Sequence, residues 1–161
     1  MSRDMEATGW GYTHIRVDSF CHKWTISHFS FCMDGIREKI ISAKFSLEAS
    51  DKVEWCLRVH PNGSDEESRN YLSVYLGLLH CQKSPVWAKY EFWIINSQGE
   101  NFQSMKSTNI VSFQKNQYRG FKRFILRDFL FSNPQRLLAE DQLTLCCKVS
   151  IVGSVFGMPG Q

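Results

Sequence analysis

Six cysteines, five histidines and sixteen acidic residues are the groups in this chain that could hold a metal or attack a substrate. Their spacing argues against both. A structural zinc site needs Cys or His pairs two to four residues apart, twice over. Cys146 and Cys147 are adjacent, so in a strand they point to opposite faces, and His80 and Cys81 have the same fault. His22 and His28 are too far apart to form a local pair, and Cys21, Cys32 and Cys56 are scattered. The thiols read as buried and free in a reducing compartment. For nucleophilic chemistry the nearest pair is His80 with Cys81, but it has neither a helix-start context nor a strained Ser elbow beside it. Asp65, Glu66 and Glu67 read as the solvated tip of a loop rather than an acid/base pair. There is no glycine-rich phosphate cradle after a strand. The expectation is a non-enzymatic protein without metal or cofactor, a cysteine-dependent hydrolase being the alternative from the catalytic class.

The remaining chemistry is recognition. In "YLSVYLGLLHC" (71–81) alternate residues Leu72, Val74, Leu76 and Leu78 form one apolar face, while Tyr71, Ser73, Tyr75, Gly77 and Leu79 form the other. A tyrosine offers a flat apolar body, a hydroxyl and few rotors to freeze. Gly77 leaves room for another backbone to approach. That face fits a shallow groove, and the same rings would also serve as cross-strand packers.

Composition sets the class. With 43% apolar and 14% aromatic residues, the 161-residue chain has the means for one packed core, and its twelve phenylalanines tilt it towards β structure. A net charge of +3 with thinly spread lysines and arginines does not make a nucleic-acid stripe. The first twenty residues carry early acids and no apolar run, unlike a signal peptide, and no uninterrupted apolar stretch is long enough for a bilayer. An intracellular protein without membrane or nucleic-acid partners is expected.

Residues 1–19 read as a flexible arm. "HKWTISHFSF" (22–31), "EKIISAKFSL" (38–47), "KVEWCLRV" (52–59), "YLSVYLGLLHC" (71–81), "VWAKYEFWII" (86–95), two short pieces of "FQSMKSTNIVSF" (102–113), and "QLTLCCKVSIV" (142–152) read as strands. In 52–59, Val53, Trp55, Leu57 and Val59 point inward. "HPNGSDEESRN" (60–70), "QKSP" (82–85) and "NSQGEN" (96–101) break the chain as loops. "FKRFILRDFL" (121–130) spaces Phe121, Phe124, Ile125 and Phe129 at helical intervals, predicting a short helical turn near 126–131. "GSVFGMPGQ" reads as a linker. About seven or eight short strands with turns between them is the pattern of an antiparallel β-sandwich.

"HKWTISHFSFC" (22–32), "WCLRVHPNGSDEESRNYLSVYLGLLHC" (55–81), "GFKRFILRDFL" (120–130) and "LAEDQLTLCCKVSIV" (138–152) resemble the MATH (TRAF-like) domain of the speckle-type POZ protein family, above all its TD-and-POZ-containing members. The resemblance implies an all-β, eight-stranded antiparallel sandwich over 20–153, with 154–161 as the linker towards a POZ domain. It implies substrate recognition: short Ser/Thr-rich peptides bound in extended form, presented through the POZ domain to a cullin-RING ubiquitin ligase for proteasomal degradation, in nucleus or cytoplasm. A TRAF-like scaffold without ligase recruitment is the alternative.

Carried over position by position, the resemblance implies a peptide groove at Tyr75, Tyr90, Ser107, Val111, Phe113, Gln117, Tyr118, Arg119, Gly120, Phe121 and Lys122. Tyr90 stands where the family has Phe. Val111 replaces a family Tyr, Arg119 replaces a Trp, and Gln117-Tyr118 replace Lys-Asp. Losing two ring anchors implies altered selectivity, which Tyr118 or the flat guanidinium of Arg119 could offset by stacking. Tyr75 and Phe121 are expected to frame one outer surface.

Overall fold

Hydrophobic alternation organises the chain into strands wherever one face can be buried. The structure, a computed structural model, describes residues 5–34, 39–47 and 53–158. Its strands are β1 (Tyr12–Ile26), β2 (Ile40–Ile41), β3 (Glu54–His60), β4 (Tyr71–His80), β5 (Val86–Ile95), β6 (Asn101–Lys106), β7 (Val111–Phe113), β8 (Tyr118–Leu126) and β9 (Leu143–Met158). Two short helices, α1 (Arg127–Ser132) and α2 (Pro134–Leu137), lie between β8 and β9.

The strands form two antiparallel sheets. One runs β1-β9-β5-β6, with β7 also pairing to β5, and the other runs β2-β3-β4-β8. Both contribute to one core: Leu72, Val74, Leu76 and Leu78 of β4 are fully buried, as are Trp55, Leu57 and Val59 of β3 and Leu143, Leu145, Cys147 and Val149 of β9. Each such side chain contributes about 1.5–3 kcal/mol by leaving water. Phe113 of β7 meets Trp55 of β3 edge to face at 5.1 Å, joining the two sheets through their rings.

The expected all-β antiparallel sandwich is the fold, and β8, whose residues from Phe121 on have helical spacing in the sequence and are not expected as a strand, raises the number of strands among the described residues to nine. The helical turn expected near 126–131 is α1. Three further segments differ from expectation. Strand structure begins at Tyr12 inside the expected arm, because Tyr12 to Ile26 pair along β9 as far as Met158, which also draws residues 154–158 of the expected linker into β9. The strand expected over 22–31 ends at Ile26, and Phe29–Asp34 form a 3-10 helix that places Phe29 in the core. Of the strand expected over 38–47, only Ile40–Ile41 and a bridge from Phe45 to Trp55 pair with β3. Residues 1–4, Glu38, Lys52 and residues 159–161, included in those expectations, lie outside the described residues.

Candidate functional site

The site is built around β4 and β8. Tyr75 lies opposite Arg58 of β3 on one side and Gly120 of β8 on the other, and Gly77 lies opposite Cys56 and Tyr118. Alternation therefore puts Cys56, Arg58, Tyr75, Tyr118 and Gly120 on the outer face of the four-stranded sheet. Two glycines let this face close on itself. A Cβ on Gly120 would lie 2.0 Å from the Val74 carbonyl oxygen, so only glycine allows β8 to approach β4 there. A Cβ on Gly77 would lie 2.3 Å from the Tyr118 ring. The room expected above Gly77 for a foreign backbone is thus filled by the protein's own tyrosine.

Tyr118 is held from two directions. The Arg58 guanidinium carbon lies 3.9 Å from its ring centre, and its hydroxyl is 3.3 Å from the Cys56 thiol. Burial, and then the Cys56 contact, push the Tyr118 phenol up to about 12, against the opposing pull of Arg58. Arg58 also lies 5.2 Å from the Tyr75 ring centre, so the cation bridges both tyrosines. Its Nε is buried and has no hydrogen-bond partner among the described residues. Arg58 was legible in the sequence only as an outward charge on β3. The signal that could have found it is its cross-strand register with Tyr75.

The loop after β3 latches onto the same face. Ser64 and Tyr75 share a 2.7 Å hydroxyl hydrogen bond, and the Ser73 hydroxyl donates to the Lys122 carbonyl at 2.6 Å. Lys122 donates to Asp65 at 2.7 Å, with Glu67 at 3.7 Å. The hydrogen bond from Lys122, followed by that from Ser68, holds the Asp65 carboxyl down at about 2. The acids of this loop tip are therefore partners of a cation as well as solvated groups.

Phe121 lies on the other side of β8. It is opposite Val74, and its half-buried ring reaches between the sheets to Tyr90 at 5.7 Å and Phe92 at 6.2 Å. Tyr75 and Phe121 therefore do not frame one outer surface, because neighbouring positions on a strand face opposite ways. Tyr90 is 8% exposed and Phe113 fully buried, so both support the site from beneath. Burial raises the Tyr90 phenol. The Ser107 hydroxyl accepts from the Tyr90 N–H at 3.0 Å. Val111 is half-buried opposite Ala88. Arg119 donates from Nε to the Ser112 carbonyl at 2.7 Å, and its guanidinium carbon is 5.9 Å from the Phe113 ring, so it clips β8 to β7. The Gln117 side chain accepts from the Gln114 N–H at 2.9 Å, closing the β7–β8 turn.

The two sets of side chains meet at an edge. β8 ends its sheet, and along it lies a depression of about 460 Å³ lined by Glu67, Met105, Gly120, Phe121, Lys122 and Arg123. An edge strand presents N–H and C=O groups to an incoming chain. A chain placed there would send successive side chains alternately towards the Tyr118–Lys122 face and the Phe121–Tyr90 face.

Three of the thiols are disfavoured as nucleophiles by burial. Burial raises Cys56, Cys146 and, most strongly, Cys147, which favours the protonated thiol over the reactive thiolate. Cys56 and Cys146 fall on the more polar phase of their strands, yet both are buried. His80 is exposed at the end of β4, and Cys81 follows it half-buried. Among the described residues, no three His, Cys, Asp or Glu side chains converge as metal ligands. No helix among them is long and apolar enough to cross a membrane.

Two antiparallel sheets sharing one core define a TRAF-like β-sandwich fold. The chain belongs to the MATH domain family, whose profile matches residues 21–149. It is 70% identical over 161 residues to TD and POZ domain-containing protein 5 of Mus musculus, covering all of this chain and 47% of that protein. It is 63% identical over 161 residues to TD and POZ domain-containing protein 2 of Mus musculus, covering all of this chain and 44% of that protein. The chain thus spans about half the length of the curated relatives it matches. Among solved structures, Notothenia coriiceps TRAF5 aligns with a TM-score of 0.68 at 21% identity, over 83% of this chain and 74% of that one, a likeness of fold.

Proposed function

We propose that this domain is a substrate receptor that takes short Ser/Thr-rich peptides in extended form along the free edge of β8. A POZ domain, the other module in the names of its relatives, would then present the bound partner to a cullin-RING ubiquitin ligase for proteasomal degradation, in nucleus or cytoplasm. The observation that carries this reading is the juxtaposition at β8. A sheet edge with a depression beside it has tyrosines braced by Arg58 on one side and the Phe121 ring on the other. Main-chain pairing along the edge would supply affinity, and the two faces would select alternate side chains. Val111 in place of a ring, and Arg119 tied to β7, leave fewer aromatic anchors than the family pattern carries.

The test is a titration of an array of Ser/Thr-rich peptides against three forms of the protein. Phe121→Ala is expected to lower the affinity of captured peptides by about thirtyfold or more, as for a lost hot-spot ring. Val111→Tyr is expected to raise it. Peptides whose affinity neither change moves would place the binding surface elsewhere on the domain.

A further inference from the structure

The outer face of the five-stranded sheet carries a second feature, a cluster of three lysines that shares Tyr90 and Ser107 with the groove implied by the family resemblance but whose charges the peptide reading does not use. β6 and β7 both pair with β5, and the chain leaves β6 at Lys106 and rejoins at Val111. That gap contributes to a depression of about 420 Å³ lined by Lys89, Tyr90, Glu91, Lys106, Ser107, Thr108, Lys148 and Ser150. Register places Lys106 and Lys148 on either side of Glu91, and Lys89 opposite Ser150. Three cations thus surround one acid.

None of the three ammonium groups lies within ion-pairing distance of a carboxylate among the described residues. Glu91 is engaged instead by the Ser104 hydroxyl. Hydroxyl donors complete the lining. Ser107 Oγ accepts from the Tyr90 N–H, which leaves its own proton free to point into the depression. Ser150 shares a hydrogen bond with Ser19 at 2.8 Å, and Thr108 is exposed at the rim.

From this geometry we infer that the Lys89–Lys106–Lys148 depression binds the phosphate of a phosphorylated serine or threonine in a protein partner. The chemistry fits a dianion with three acceptor oxygens better than a single carboxylate. Two positive charges remain in excess of Glu91, and the hydroxyls of Ser107 and Thr108 add neutral donors. With a net charge of only +3 over the whole chain, the patch is local, the size of one phosphate rather than a track for a polyanion.

The test is an amide NMR titration of the 161-residue chain at constant ionic strength with a Gly-flanked phosphoserine pentapeptide, its serine and glutamate counterparts, and inorganic phosphate. The expected result is saturable shifts for the phosphoserine peptide and for inorganic phosphate, centred on residues 89–91, 106–108 and 148–150. The serine peptide is expected to leave those signals unmoved, and the glutamate peptide to bind more weakly than phosphoserine. Lys106→Glu and Lys148→Glu, both at exposed positions, should each weaken phosphopeptide binding about tenfold, the scale of one lost charged hydrogen bond. Phe121→Ala should leave this binding intact, which separates its failure from failure of the β8 edge. Shifts no larger than with sodium chloride, affinities unmoved by both charge reversals, binding of inorganic phosphate but not the phosphopeptide, or equal binding of the glutamate peptide would each overturn the inference.

Discussion

At the level of single residues, the site is governed by how cations are shared. Arg58 is committed to two rings, Arg119 to a carbonyl, and Lys122 to the Asp65 carboxylate. The Lys122–Asp65 pair sets a pH dependence whose sign follows from the shifts. Asp65 is lowered from 3.8 to about 2, so its contribution to stability is complete above 3.8 and is lost as pH falls through about 2. Lys122 is raised above 10.5, chiefly by its hydrogen bond to Asp65, so its contribution is complete below 10.5 and is lost as pH rises through its folded value. Both groups are exposed, so the effect belongs to the local latch more than to global stability. Carbon-detected NMR should give an Asp65 midpoint near 2, and Lys122→Ala should move it up towards 3.8. An unmoved midpoint would assign the shift to Ser68 instead.

At the level of strands, what matters is which face each position takes. Alternation was legible for β4, β5 and β9, where one face is wholly apolar, and this is why the core positions of Leu72 to Leu78 could be read directly. It failed for β1, whose first six residues are all exposed and whose pairing with β9 is a contact between the two ends of the chain. It also could not assign the site residues to faces, because that needs the register of β4 on β8. The irregularity between Leu72 and Val74 in that ladder has no sequence mark. The fit of Gly77 beneath Tyr118 has a measurable consequence. Gly77→Ala puts a methyl group into a ring held by Arg58 and Cys56, and should cost about 1–3 kcal/mol by overpacking. In a Tyr118→Ala background the same change should be much milder. Chemical denaturation of the four proteins in the cycle gives the coupling energy, and additive costs would mean that the ring moves aside freely.

For the molecule as a whole, the question is which rings hold the sheets together and which face a ligand. Phe113 and Phe121 belong to the same aromatic cluster through Tyr90, at 6.1 and 5.7 Å, and the family resemblance places both in the groove. Their burial separates them: Phe113 is fully enclosed against Trp55, while Phe121 is half-buried beside the β8 depression. Phe113→Ala should therefore destabilise the fold by about 3–5 kcal/mol, the cost of emptying a core ring. For a domain of this size that lowers the melting temperature by about 6–20 °C. Phe113→Leu, which keeps most of the volume, should lose far less stability and leave peptide affinity unchanged. Phe121→Leu should also change the melting temperature little, but should lose peptide affinity clearly. Calorimetry and peptide titration on the two leucine variants decide the matter. A Phe113→Leu protein that melts like the parent but binds peptide poorly would mean that the sandwich opens to let a ligand reach its interior, and the ligand surface would then extend from the β8 edge into the core.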